Sequence, residues 1–275
     1  MEPVQWYVPP PDLRNPAALI AFSGWGDAGE SSTDALEPFL RREAVEVATI
    51  DPDDFFDFQV RRPIVRREDD GTEIDWPAID FHTVPFTDRD LVVVRGEEPS
   101  FGWRKLGVTL GSVLGTLGVT EVVTMGAYVG HVVHTLPVPL VASAVNDRTM
   151  QRTGLASSEY EGPTGIIGVL NALLDSDGFD VISVWAAVPH YLSSQPYLPG
   201  ALALGEKASR LLRLDWEDTD IRDAVSSYRH AVDVMVEDDD ELTEYVRRVE
   251  AEIAEEVPSS NLVAEIERFL NENNG

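Results

Sequence analysis

A chain of 275 residues, 43% hydrophobic and 25% charged, fits one large globular domain or one domain with an appended segment. It contains no cysteine, which excludes disulfides, thiolate nucleophiles and Cys-ligated zinc. A formal net charge of −28 repels phosphate backbones and anionic headgroups, so neither nucleic acid nor a membrane is expected as a partner.

Short apolar runs of β-forming residues alternate with helix-like stretches, the pattern of an α/β layer fold. In chain order the predicted strands are 17–22, 45–50, 59–65, 72–76, 79–84, 91–95, 121–125, 140–145 and 181–187. Several are apolar on both faces, as in a sheet covered on both sides. The predicted helices are 29–42, 101–118, 164–175 and 200–214. Between Asp51 and Val84 no helical period appears, and Asp69-Asp70-Gly71 reads as a hairpin turn, so the sheet is expected to be mixed. No apolar run approaches the roughly 18 residues of a membrane helix. The first twenty residues carry no signal pattern, and the chain is expected in the cytoplasm.

The character changes after 214, dividing the chain into an α/β core domain (1–214) and an acidic helical segment (215–275). The last 61 residues hold a net charge of −14, half the total. Ile221, Val225, Tyr228, Val232 and Met235 recur at spacings of 4, 3, 4 and 3. Leu242, Val246, Val249 and Ile253 repeat that period, and the acidic run Glu237–Glu241 separates the two. A third amphipathic stretch after Pro258 would bury Leu262, Ile266 and Phe269 or Leu270. The apolar seam of the first two helices can pack on its own domain or contact a partner.

The most informative loop is AFSGWGDAG (Ala21–Gly29), between a strand and a helix at the carboxyl edge of the sheet, where open α/β folds place ligands. Its glycines permit close backbone approach, and amides at the following helix start favour an anion. The spacing departs from known phosphate loops, and Asp27 reads as a helix cap with Trp25 packed on a neighbour. EGPTG (Glu161–Gly165) opens another helix toward the same edge. The ligand-cleft candidates are therefore Ser23, Gly24, Trp25, Asp27, Tyr128, Glu161, Gly162, Gly165, His190 and Tyr191.

Complete catalytic sets are missing. His131 and His134 lack an acidic third ligand at a metal-site spacing, so no metal and no cofactor is expected. His190 could serve as a base, but the chain has no G-x-S-x-G elbow to supply its nucleophile. DPDDFFDFQVRRP (Asp51–Pro63) mixes carboxylates, aromatics and arginines, and reads as an exposed recognition edge. Interface candidates are Phe55, Phe56, Arg61, Arg62, Ile221, Val225, Tyr228, Val232, Leu242 and Val246.

Five segments in register resemble the proteasome assembly chaperone 2 family in its bacterial, actinobacterial-type branch. They are LIAFSGWGDAGESSTDAL (Leu19–Leu36), the DPDDFFDFQVRRP block, MGAYVGHVVHT (Met125–Thr135), YEGPTGIIGVLNALL (Tyr160–Leu174) and VPHYLSSQPYLPGALAL (Val188–Leu204). The resemblance implies a three-layer α/β/α sandwich similar to nucleoside phosphorylases and hydrolases, without their catalysis. It implies self-association, for which the family suggests a trimer, and a role with proteasome subunits as in archaeal and eukaryotic relatives. Some relatives dock by a hydrophobic-Tyr-any tail; this sequence reads Asn271-Glu272-Asn273-Asn274-Gly275 there, so tail insertion is not expected. The leading expectation is an assembly-chaperone-like homo-oligomer that is not an enzyme. The rival is an enzyme or a binder of nucleoside-like small ligands at the sheet edge.

Overall fold

The computed structural model describes residues 4–68, 71–216 and 219–256. Its middle layer is an eight-stranded mixed sheet of β1 (Val4–Trp6), β2 (Ala17–Ser23), β3 (Val45–Ile50), β6 (Ile79–Pro85), β7 (Asp90–Glu97), β8 (Glu121–Gly130), β9 (Leu140–Ala144) and β10 (Asp180–Pro189). Two further strands, β4 (Ile64–Glu68) and β5 (Gly71–Asp75), pair only with each other. Across the sheet the order is β1-β3-β6-β7-β2-β8-β10-β9. The central four, β7, β2, β8 and β10, run parallel, and the flanking strands run antiparallel.

The two-sided apolar runs of β2 and β10 follow from this arrangement, because helices cover both faces. Ala18, Ile20 and Phe22 point into one core with Leu106, Leu110 and Leu114 of α3 (Trp103–Thr116) and Ile166, Leu170 and Leu174 of α5 (Ile166–Ser176). Leu19 and Ala21 point into the other, under α1 (Ser31–Asp34), α2 (Glu37–Leu40) and α6 (Leu198–Leu212). The fold is thus an α/β/α sandwich on a mixed sheet.

Two further helices, α7 (Thr219–Glu237) and α8 (Asp240–Glu256), extend the second layer. Ile221, Val225 and Val232 of α7 and Val246 and Val249 of α8 are buried in the same cluster as β2 and β10, with Tyr228 and Leu242 packed against it. Apart from Met235, which stays exposed, the four-three seam therefore faces its own chain. Asp239 makes the break between the helices by accepting the amides of Glu241 and Leu242, both at 3.0 Å. The third amphipathic stretch, with Leu262 and Ile266, lies outside the described residues, as do Asp69 and Asp70 of the hairpin turn.

Two local expectations change. The single helix over 29–42 is a 3₁₀ turn (Ala28–Glu30) followed by α1 and α2, because Gly29 and Glu30 both adopt positive φ, 57° and 51°. The strand over 59–65 begins only at Ile64. Asp57 draws the amides of Gln59 (2.8 Å), Val60 (2.9 Å) and Arg61 (2.8 Å) into a turn, and Pro63 lacks an amide for a ladder. Two elements were missed: the edge strand β1, and α4 (Asp147–Thr153), which Asn146 caps by accepting the Thr149 amide at 2.8 Å.

Candidate functional site

Parallel strands β7, β2 and β8 end together, and the loops after them form the carboxyl edge. Behind Ser23, the turn through Gly24–Gly26 is clamped on both sides. The Glu98 amide donates to the Ser23 carbonyl at 2.8 Å, and the Ala127 amide donates to the Gly26 carbonyl at 2.7 Å. Asp27 is buried and saturated. Its Oδ1 accepts from the Ser32 amide and hydroxyl, both at 2.6 Å, and its Oδ2 accepts from the Thr33 hydroxyl at 2.5 Å. The carboxylate thus caps the first turn of α1 from five residues upstream, using donors that would otherwise be orphaned.

The anion position at this edge is filled by the protein itself. Glu98, which sequence reasoning missed, accepts the Trp25 amide at 3.2 Å through Oε2 and the Ile166 amide at 2.8 Å through Oε1. Its carboxylate sits at the start of α5, where a ligand phosphate would bind, and complements the helix dipole. Gly165 permits this closeness, since a Cβ there would lie 2.9 Å from Glu98 Oε1 and 3.1 Å from the Trp25 ring. Trp25 remains 57% exposed. Glu161 and Gly162 are exposed in the loop before, apart from the buried Gly165. The only signal for Glu98 in the sequence is its place at the carboxyl end of β7, next to β2.

His190 and Tyr191 lie on the other face of the sheet, away from Gly165. Gly29 ties the two loops of that face together: its amide donates to the Ser193 carbonyl at 3.0 Å, and its carbonyl accepts the Tyr197 amide at 2.7 Å. At φ 57°, where an added Cβ would lie only 2.8 Å from the Tyr197 Cβ, this position requires glycine. The His190 ring stacks edge-on against Tyr191 (5.3 Å) and Tyr245 (4.8 Å), while the Ser193 hydroxyl donates to the His190 carbonyl. That geometry gives no nucleophile–base pair. Buried His134 meets the Tyr191 hydroxyl at 2.7 Å through Nδ1 and Asp233 at 3.2 Å through Nε2. Burial pushes the Tyr191 phenol up to about 12, partly offset by the His134 amide that it accepts. His131 instead pairs with Glu252 of α8 at 2.8 Å. The two histidines therefore share no ligand position, and among the described residues no group of three His, Cys, Asp or Glu could hold a metal. Tyr128, half-buried near the end of β8, completes the candidate set.

The predicted cleft is thus divided into two by the sheet, and on the histidine side Tyr245 of α8 packs against the exposed His190. A cavity of about 510 Å³ opens on a different flank, between the ends of β2 and β7 and the β4–β5 hairpin. Ser23, Asp34, Glu37, Arg61, Arg62 and Trp76 are among its lining residues. Ion pairs join Arg61 to Glu97 (2.8 Å) and Arg95 to Glu37 (3.3 Å). Burial pushes the Asp34 carboxyl up to about 6, helped by the charges of Glu30, Asp27 and Glu37. The recognition edge is corrected at Phe55 and Phe56, which are 0% and 3% exposed. They turn inward beneath α3, with the Phe101 amide on the Phe55 carbonyl at 3.0 Å, because burying two rings outweighs exposing them in a polar turn. Arg61 and Arg62 stay at the surface.

Among the described residues no helix is long and apolar enough to cross a membrane. No protein of curated function matches the chain at a significant level. Solved structures do. A PAC2 family protein of Streptomyces avermitilis is 34% identical with a TM-score of 0.79, over 84% of this chain and 99% of that one. A proteasome-assembly chaperone homologue of Mycobacterium tuberculosis is 33% identical with a TM-score of 0.76, over the same shares. An archaeal proteasome activator of Pyrococcus furiosus shares the fold alone, with 16% identity and a TM-score of 0.69 over 84% of this chain and 97% of that one. The PAC2 family model itself matches residues 18–236, so this chain belongs to the PAC2 family.

Proposed function

We propose that this chain is an assembly-chaperone-like interaction protein, which self-associates and holds proteasome-type subunits without chemistry of its own. The observation that carries this reading is the self-filled sheet edge: Glu98 occupies the start of α5, and Asp27 spends its carboxylate on Ser32 and Thr33. A family that includes proteasome-assembly chaperone homologues supports the same direction. An acidic surface would steer basic patches of a partner and fix its orientation. The test is native purification of the tagged full chain from its own cells, followed by mass spectrometry and native gels. Proteasome subunits or half-assembled rings in fixed stoichiometry are the expected result. Their absence, with the protein recovered alone, overturns it.

The 510 Å³ cavity favours a second reading, a small-ligand binder on the hairpin flank. Thermal-shift screening with nucleosides, nucleotides and inorganic phosphate checks it. A ligand that stabilises the wild type but not Arg62→Ala would establish this reading in place of the first.

A further inference from the structure

The cavity beside the β4–β5 hairpin sorts its charges by depth. Its half-buried charged side chains are all acids, Asp34, Asp80 and Glu97, whereas the arginines that line it are all exposed. Two of those arginines are already matched, Arg95 with Glu37 at 3.3 Å and Arg61 with Glu97 at 2.8 Å. The remaining lining acid, Asp75, pairs with Arg66 of the hairpin at 2.8 Å. Once these pairs are set aside, Asp34 and Asp80 stand against the exposed Arg62 alone, so the interior of the cavity keeps a negative charge.

Hydrogen-bond donors are short there as well. Asp80 accepts the Thr49 hydroxyl at 2.8 Å, but Asp34 has neither a hydrogen bond nor an ion pair among the described residues. Glu97 Oε2 is buried without a hydrogen bond, because Arg61 Nε lies near it but is not aligned to donate. The charges that act on Asp34, those of Glu30, Asp27 and Glu37, are all negative. A carboxylate held out of water without a donor costs free energy that an incoming charged N–H group recovers. Trp76 adds an apolar wall: it is 46% exposed, and its ring is propped edge-on against Phe58 at 4.9 Å. Resting on the small-ligand reading of this cavity, we infer that its ligand carries an ammonium or guanidinium group seated on Asp34 and an apolar body lying against Trp76. The same acids repel a phosphate group, so an anion is the ligand that fits worst.

Isothermal titration calorimetry on the full-length chain tests this with three probes of similar size, benzylamine, benzyl alcohol and phenylacetate. At pH 7.5 the protonated amine should bind at least about tenfold tighter than either of the others. Asp34→Asn should erase that preference while benzyl alcohol binds as before, and Trp76→Ala should weaken all three probes alike. The wild type gives an independent reading that needs no variant to fold. Its free Asp34 carboxyl, raised to about 6, is mostly ionised at pH 7.5 and mostly protonated at pH 5, while the amine keeps its charge throughout. Affinity for the amine should therefore fall about tenfold between those pH values. Asp238→Asn removes the same charge from the turn between α7 and α8 and should leave the preference intact. An equal loss in that variant assigns the effect to the net charge of the chain and overturns the site. Benzyl alcohol or phenylacetate binding as tightly as the amine overturns the cationic ligand and leaves the small-ligand reading standing. A preference that survives in Asp34→Asn overturns the seat on Asp34. Failure of all three probes to bind the wild type at millimolar concentration overturns both the ligand class and the small-ligand reading beneath it.

Discussion

From β2 to β10 both faces of the sheet lie beneath helices, whereas β3 and β6 carry a half-exposed polar row beside a hairpin that no layer covers. The row consists of Glu46, Thr49, Asp80 and His82, and burial followed by the charge of Arg95 pushes the His82 imidazole below its usual range. In the covered half three carboxylates have partners supplied by the chain: Asp27 its serine and threonine, Glu98 its two amides, Glu121 its arginines. Such groups hold one arrangement and offer little to a ligand. In the open half, arginines, carboxylates and apolar side chains face outward, which is where partners have something to grip.

The largest effect should come from breaking the covered half at its amino edge. Glu121 starts β8 and is buried beside equally buried Arg89 at 2.8 Å, with Arg213 at 2.9 Å and Arg152 on its other oxygen. Burial raises this carboxyl, but hydrogen bonds from Arg89 and Arg152 and the charge of Arg213 more than offset it, so it ends below the usual range. Glu121→Gln leaves Arg89 as an uncompensated buried charge and should cost roughly 3–5 kcal/mol in urea unfolding at pH 7. Because the folded carboxyl is depressed, the wild-type contribution is complete above the unfolded value of 4.5 and fades as pH falls through the folded one. The variant should therefore lose less than the wild type on acidification, and an equal loss would place the ion cluster outside the stability of this half.

A smaller effect is expected at the carboxyl edge. Asp27→Ala removes the acceptor of the buried Ser32 amide and hydroxyl and of the Thr33 hydroxyl. The loss should be roughly 2–3 kcal/mol, with faster hydrogen exchange at Ser32 and Thr33. A change confined below about 0.5 kcal/mol would mean that water replaces the carboxylate easily and that the edge is less closed than its geometry.

How much of this was legible depends on the range of each determinant. Strands β3 and β10 could be read because their apolar runs are local, and the α7–α8 seam because its period is. The capping role of Asp27 is also local, being written within six residues of its partners. The break of the 29–42 helix was not, since Gly29 and Glu30 take their backbone angles where Gly29 meets Ser193 and Tyr197, over 160 residues away. Glu98 stayed hidden for the same reason, its partners Trp25 and Ile166 lying 73 and 68 residues off. Phe55 and Phe56 misled because a polar local context, DPDDFFDF, says nothing about the helix α3 that covers them.

The smallest effect belongs to the open half and has the opposite sign. Asp34 lines the hairpin cavity, half-buried, and burial with the charges of Glu30, Asp27 and Glu37 raises its carboxyl from 3.8 to about 6. A raised acid favours the protonated form in the folded chain, so its stabilising contribution is complete below 3.8 and is lost as pH rises through about 6. At pH 7 and above the ionised group opposes folding. Asp34→Asn should then stabilise the protein at pH 8, by no more than about 1 kcal/mol after solvent screening, and leave it unchanged at pH 3.5. Melting curves at both pH values decide it. A uniform shift would trace to packing of the amide, whereas a gain only at high pH marks a carboxylate held at the rim of the cavity against its electrostatic preference, as expected of a surface shaped for contact and not for its own stability.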